Sequence, residues 1–150
     1  MGNRRGINVE IWDHPIIKKM SVEERTFYIY LLTNSHTTSI GIYPISKILI
    51  ALELGVSIES AQALLDRFSL EYELIRYNRE TREVAIKDWG KFVLLNGGKR
   101  VMLSELKEVG DHSLIPFVSE SIAKPKIRSL YDLFCTQEQG TSCRDGKDDM

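Results

Sequence analysis

The side chains best suited to recognition chemistry fall in two short stretches of this 150-residue chain. Between Ser57 and Phe68 an amphipathic run keeps Ser57, Glu59, Ser60, Gln62, Ala63 and Arg67 off its apolar stripe. Glutamine carries a donor and an acceptor side by side and suits adenine, arginine suits guanine, and serine suits either. Ser60, Gln62 and Arg67 are therefore candidate readers of base edges, with Ser57 and Ala63 on the same exposed surface. Further along, Arg76, Asn78, Arg79, Thr81 and Arg82 gather around a polar connector, and guanidinium groups match phosphate oxygens in geometry and charge. Lys47 and the flanking Arg4, Arg5, Lys18 and Lys19 add cations. Acids stand among them. Residues 57–68 carry Glu59 and Asp66 against Arg67 and sum to -1, and residues 73–91 carry five basic and four acidic groups and sum to +1. Such a mixture also describes an ordinary solvated face. Tyr28, Tyr30, Tyr43 and Trp89 fit core positions better than stacking platforms for a ligand.

Other chemistries find little support. Gly97-Gly98-Lys99 lacks the upstream glycine and the hydroxyl residue of a phosphate-cradling loop. No paired acids and no set of nucleophile, base and orienting group is visible, so catalysis is not expected and no cofactor is implied. His14, His36 and His112 are widely spaced and pair with no neighbouring Cys or His, so no metal site is expected. Cys135 and Cys143 come too late to staple the apolar pattern upstream and read as reduced thiols.

The elements that must position the candidate residues follow from caps and periodicity. Ser21 and Glu24 form a capping-box pair, and Phe27, Tyr30 and Leu31 recur at helical spacing, which predicts a helix over 21–32. Thr33 to Ile40 is hydroxyl-rich and predicts a loop. Gly41-Ile42-Tyr43-Pro44 predicts a short edge strand, because the proline denies Tyr43 an easy helical conformation and belongs at a sheet edge. Ser46 caps a short helix with Ile48, Ala51 and Leu52 on one face, stopped by Gly55. Ser57 caps the next, whose stripe is Ile58, Ala61, Leu64, Leu65 and Phe68. The small Ala51 and the glycine four residues later suit two helices crossing at a tight turn. Leu74 to Asn78 and Val84 to Lys87 predict a two-stranded hairpin about the connector 79–82, with Ile75, Tyr77, Val84 and Ile86 inward and Arg76, Asn78, Ala85 and Lys87 outward.

Helix, edge strand, helix-turn-helix and two-stranded wing is the order of a winged helix. The expected fold class is mainly α with a small β-wing, an α+β fold, followed by C-terminal helices. Gly97-Gly98 predicts a flexible joint, 99–109 a helix, and 113–135 two short helices broken at Pro125. The expected domains are a winged-helix DNA-binding domain over 1–96, a helical extension over 97–135 and a disordered tail over 136–150.

Composition bounds the partners. The chain is 43% hydrophobic and 27% charged, with 20 Lys+Arg against 21 Asp+Glu and a net charge of -1. No apolar run approaches the roughly 20 residues a bilayer demands, and the polar start lacks a signal-peptide core, so a cytoplasmic protein without membrane contact is expected. The net charge averages over unequal parts: residues 1–19 stand at +2, 20–70 at -2 and 91–107 at +3. That distribution permits DNA binding of modest strength and disfavours tight non-specific coating.

Several short motifs occur in order: Ile11-Trp12-Asp13-His14-Pro15, Thr26 to Asn34 (TFYIYLLTN), Gly41-Ile42-Tyr43, Leu74-Ile75-Arg76-Tyr77 and Ile86-Lys87-Asp88-Trp89. Over roughly residues 7–110 they resemble the N-terminal winged-helix domain of phage replisome-organiser and DnaD-like replication-initiation proteins of Gram-positive bacteria and their prophages. The resemblance implies a domain that binds double-stranded DNA or self-associates, as a homodimer for example, within a replication-initiation module. Replication proteins such as a helicase loader are the implied partners. The chain departs from the family after Gly110, where 40 residues are fewer than the family's second, remodelling domain. A self-association module and a transcriptional regulator are the alternative readings.

Overall fold

The computed structural model describes residues 4–95 and 98–139. The chain is mainly helical with one small antiparallel sheet. A 3-10 turn, Val9–Asp13, and a short helix α1, Pro15–Lys19, precede α2, Val22–Thr33. Strand β1, Ile42–Pro44, leads into α3, Lys47–Leu54, and α4, Ile58–Asp66, which continues as a π-turn, Arg67–Glu71. The hairpin strands are β2, Ile75–Asn78, and β3, Glu83–Ile86. Four helices follow: α5, Trp89–Phe92; α6, Lys99–Lys107; α7, Leu114–Ser119; and α8, Pro125–Gln139.

Local chemistry sets the boundaries. The Ser21 hydroxyl accepts from the Glu24 amide (3.1 Å) and the Glu24 carboxylate accepts from the Ser21 amide (3.0 Å), closing the expected capping box. Ser46 and Ser57 cap α3 and α4 by the hydroxyl alone, accepting from the Leu49 and Ser60 amides. Between these helices Gly55 takes a left-handed conformation, φ 73°, and its amide donates to the Ala51 carbonyl (2.9 Å). The axes of Lys47–Leu54 and Ile58–Glu71 differ by 112°.

The sheet order is β1-β3-β2, all antiparallel, with Tyr43 opposite Val84 and Tyr77 opposite Val84 from the other side. β1 is an edge strand, as its proline predicts. One buried cluster joins Phe27, Tyr28, Leu31 and Leu32 of α2 to Ala61, Leu64, Leu65 and Phe68, to Val84 and Ile86 of the sheet, and on to Leu106, Ile115 and Tyr131 of the late helices. Phe27 and Phe68 meet edge to face at 4.9 Å. Each such side chain contributes about 1.5–3 kcal/mol on burial. Gly41 (φ 79°) passes so close to Trp89 that a Cβ would stand 2.5 Å from the indole Cγ.

The structure corrects several expectations. On α3 the buried residues are Ile50 and Ala51, whereas Ile48 (61%) and Leu52 (77%) are exposed; a helix of eight residues holds more apolar positions than one face can bury. Ile58, at the first position of α4, is also exposed. The outward face of the hairpin is covered in part, with Arg76 exposed, Asn78 and Lys87 half-buried and Ala85 buried. Ala85 and Glu83 are buried because α7 and the α6–α7 loop lie over them, and all four β3 residues are shielded. Glu83 accepts from the Gly110 and Asp111 amides at 2.7 and 2.9 Å, and the Tyr131 hydroxyl donates to the Ile40 carbonyl at 3.0 Å. Residues between 98 and 135 therefore share the core. Gly98 precedes α6 as its N-cap, while Gly97 lies outside the described residues. The helix from Pro125 runs to Gln139, four residues into the expected tail, whose remainder, 140–150, also lies outside. Cys135 is buried; Cys143 lies outside the described residues. Among the described residues no single helix is long and apolar enough to cross a membrane.

Candidate nucleic-acid interface

Three elements converge beside the exposed side of α4. The start of α3, the middle of α4 and the β2–β3 turn enclose a cleft of about 210 Å³ lined by Ser46, Lys47, Ile48, Gln62, Tyr77, Arg79 and Arg82. Four of the ten residues singled out from the sequence, Lys47, Gln62, Arg79 and Arg82, thus share one site. The turn is held rigidly. Asn78 Oδ1 accepts from the Glu80 and Thr81 amides, the Arg82 amide donates to the Asn78 carbonyl (2.7 Å), and Arg82 itself adopts φ 63°. Its carbonyl accepts from the Ile45 amide (2.8 Å), which ties the turn to the entry of α3.

Tyr77 forms the cleft wall, its hydroxyl donating to the Ile45 carbonyl at 2.7 Å. Burial lifts its phenol above the ordinary value, while the positive charges of Arg82 and Arg79 pull the other way. Gln62 donates from Nε2 to Asp66 Oδ1 (2.9 Å), and the same carboxylate oxygen lies 3.6 Å from Arg79 Nη2. Asp66 and Arg79 are 47% and 75% exposed, so their attraction is screened and worth about 0–1 kcal/mol.

The other candidates are placed elsewhere. Ser57 and Ser60 sit at the α4 N-terminus, hydrogen-bonded to each other at 3.0 Å. Ala63 is exposed on the α4 face that carries Gln62 and Asp66. Arg67 is turned back onto the body: it pairs with Glu24 (2.5 Å) and Glu71 (3.3 Å) and lies over the Tyr72 ring. Arg76 extends from the far face of the sheet across the Phe117 ring of α7, 4.4 Å from its centroid. Asn78 donates to Asp111 of the α6–α7 loop at 2.7 Å. Arg5 is likewise engaged, donating to Thr37 and lying over Trp89.

Sequence reading missed Tyr77, Ser46 and Ile48 as cleft residues and counted Asp66 only as a repulsive charge. The Gln62–Asp66 pair had a signal in its i, i+4 spacing. The cleft lining combines two capacities: Lys47, Arg79 and Arg82 offer positive charge, while Gln62 offers a directional donor and acceptor. Among the described residues no group of three His, Cys, Asp or Glu side chains is placed to hold a metal ion. No protein-family model, no curated protein and no solved structure matches this chain.

Proposed function

We propose that the chain binds double-stranded DNA, acting by binding and not by catalysis, with α2, β1, α3, α4, β2 and β3 serving as a winged helix-turn-helix. The observation that carries this reading is the cleft that Lys47, Gln62, Arg79 and Arg82 line together. Phosphate contacts position a protein on duplex DNA and base contacts specify the site, and the cleft supplies side chains of both kinds within reach of one helix. The crossing angle of 112° agrees with that of helix-turn-helix units, at about 90–120°. The sheet order and the four-residue turn agree with a wing. The resemblance to replisome-organiser and DnaD-like domains supports a place in replication initiation of a phage or prophage, in the cytoplasm and beside partners such as a helicase loader. A transcriptional regulator would use the same chemistry.

Gel-shift titration of the full chain on random duplex tests the reading. Binding is expected at about 50 mM salt and should fade steeply as salt rises. Absence of binding at the low-salt end refutes it.

A second reading, a self-association or protein-interaction module, is favoured by one observation. Trp12, Val22, Arg25, Thr26 and Ile29 line a mainly apolar groove of about 410 Å³ on the N-terminal side, with Trp12 51% and Val22 78% exposed. Sedimentation of the wild type and of Val22→Asp distinguishes it: a concentration-dependent dimer lost on substitution supports this reading, and a monomer throughout opposes self-association.

A further inference from the structure

Among the cleft residues, Gln62 is the one whose hydrogen-bonding pattern is fixed by a neighbour. Its amide can face either way in isolation, because oxygen and nitrogen are interchangeable in shape. Asp66 removes that freedom. An ionised carboxylate only accepts, so the edge of Gln62 facing Asp66 Oδ1, 2.9 Å away, must be the NH2 group. One N–H is thereby committed, and Oε1 and the second N–H remain as the hydrogen-bonding capacity Gln62 can offer a ligand in the cleft it lines. Asp66 also lies 3.6 Å from Arg79 of the turn, but that pair is exposed and screened, so the orientation of Gln62 is set within α4.

We infer that Asp66 is a positioning residue that holds Gln62 in the one amide orientation complementary to adenine, making the cleft selective for A·T base pairs. Adenine presents in the major groove an acceptor, N7, beside a donor, N6–H2, and glutamine reads it with N–H on N7 and Oε1 on N6. The inference rests on the DNA-binding reading and specifies its substrate class. It also explains why a carboxylate belongs in a cleft that attracts phosphate: its charge opposes the backbone, yet no neutral amide can fix its neighbour's orientation, since an Asn at this site would both donate and accept. Arg79 exchanges one partner for the other, releasing Asp66 when a phosphate arrives.

The experiment begins with selection of preferred sites from a random duplex library by the wild type, Gln62→Ala and Asp66→Asn. Affinities are then measured on the preferred duplex with adenine or 7-deazaadenine at the selected position, the latter lacking the N7 acceptor. The wild type is expected to prefer adenine at one position and to lose about tenfold in affinity on the 7-deaza duplex, within the range for a bidentate base contact. Gln62→Ala and Asp66→Asn should both flatten that position and become indifferent to the 7-deaza substitution. Asp66→Asn should also bind unselected duplex more tightly, because a negative charge has gone. A purely structural Asp66 would move stability and leave base preference alone. An unchanged adenine preference with Asp66→Asn overturns the inference, as does a wild type that binds every duplex equally. In both of these outcomes the DNA-binding reading stands. A wild type that binds no duplex at all overturns the DNA-binding reading and this inference together.

Discussion

Removing Arg79 gives the most direct measure of whether the cleft grips phosphate. Arg79 is 75% exposed and its one ion pair, with Asp66 at 3.6 Å, is long and screened, so Arg79→Ala should leave folding stability within about 0.5 kcal/mol of wild type. Its effect on DNA is calculable. Each phosphate neutralised contributes about -0.9 to the slope of log K against log salt. If Lys47, Arg79 and Arg82 each engage one phosphate, the cleft's contribution is about -2.7, or roughly a 40-fold loss of affinity between about 50 and 200 mM salt. With Arg79→Ala that contribution drops to about -1.8, or roughly a 12-fold loss over the same interval. Fluorescence anisotropy on a labelled random duplex, titrated at several salt concentrations, reads the slope directly. Contacts made elsewhere add equally to both proteins, so the difference of about 0.9 is the diagnostic quantity. Binding should weaken alike on every sequence. An Arg79→Ala protein with the wild-type slope refutes the assignment of this side chain to phosphate, whatever its absolute affinity.

Three further outcomes test the framework around the cleft. Glu83→Ala leaves the Gly110 and Asp111 amides without their buried acceptor and should cost about 2–4 kcal/mol, lowering Tm by about 5–15 °C in calorimetry, whereas exposed Glu80→Ala should stay within about 0.5 kcal/mol. Gly55→Ala pays only for its left-handed backbone, about 1–2 kcal/mol, because nothing lies within 4 Å of the added Cβ; Gly41→Ala adds a 2.5 Å approach to Trp89 and should be the more damaging in urea denaturation. Burial raises the Glu24 carboxyl, but the Ser21 amide, the Tyr72 hydroxyl and the Arg67 charge outweigh it and leave the pKa below the ordinary 4.5. A depressed folded value means that the carboxylate's stabilisation is complete above the unfolded pKa and is lost as pH falls through the folded one. The stability gap between wild type and Glu24→Gln should therefore be constant above about pH 5 and close below it, and a gap that persists in acid would contradict the account.

What was legible in the sequence was local. Ser21 with Glu24, Ser46, Gly55 and Ser57 announce their helix ends because capping needs only residues three or four apart, and these boundaries agree with the structure to a residue. The hairpin's inner face, Ile75, Tyr77, Val84 and Ile86, follows from alternation alone. The 3-10 turn, α1 and α5 were not anticipated, since four or five residues are too few to show a period. The other misses share a cause in contacts between distant positions. Ala85 reads as outward until α7 covers it, and Asn78 reads as exposed until Asp111 accepts its amide proton. Arg67 has the exposure and helix position of a base reader, yet Glu24, far back in the chain, claims its guanidinium.

That redistribution changes what the near-neutral charge implies. With Arg67, Arg76 and Arg5 engaged by Glu24, Phe117 and Thr37, the cations left to meet phosphate at the cleft are Lys47, Arg79 and Arg82, with Arg4, Lys18 and Lys19 exposed on the N-terminal flank. The α4 face between them carries Glu59 and Asp66. Non-specific binding draws almost wholly on such charges and commonly lies at Kd of about 10⁻⁴–10⁻⁶ M at physiological salt; so few cations opposed by two acids belong at the weak end. On the DNA-binding reading, tighter binding at the cleft itself comes from directional contacts to bases, since its own cations are few. Gln62 is the cleft residue equipped to make them. On the DNA-binding reading, the acids beside it have a consistent effect: a weak background widens the interval between random duplex and a preferred site. Neutralising Asp66 should therefore narrow that interval from both ends, raising the background and lowering the preference.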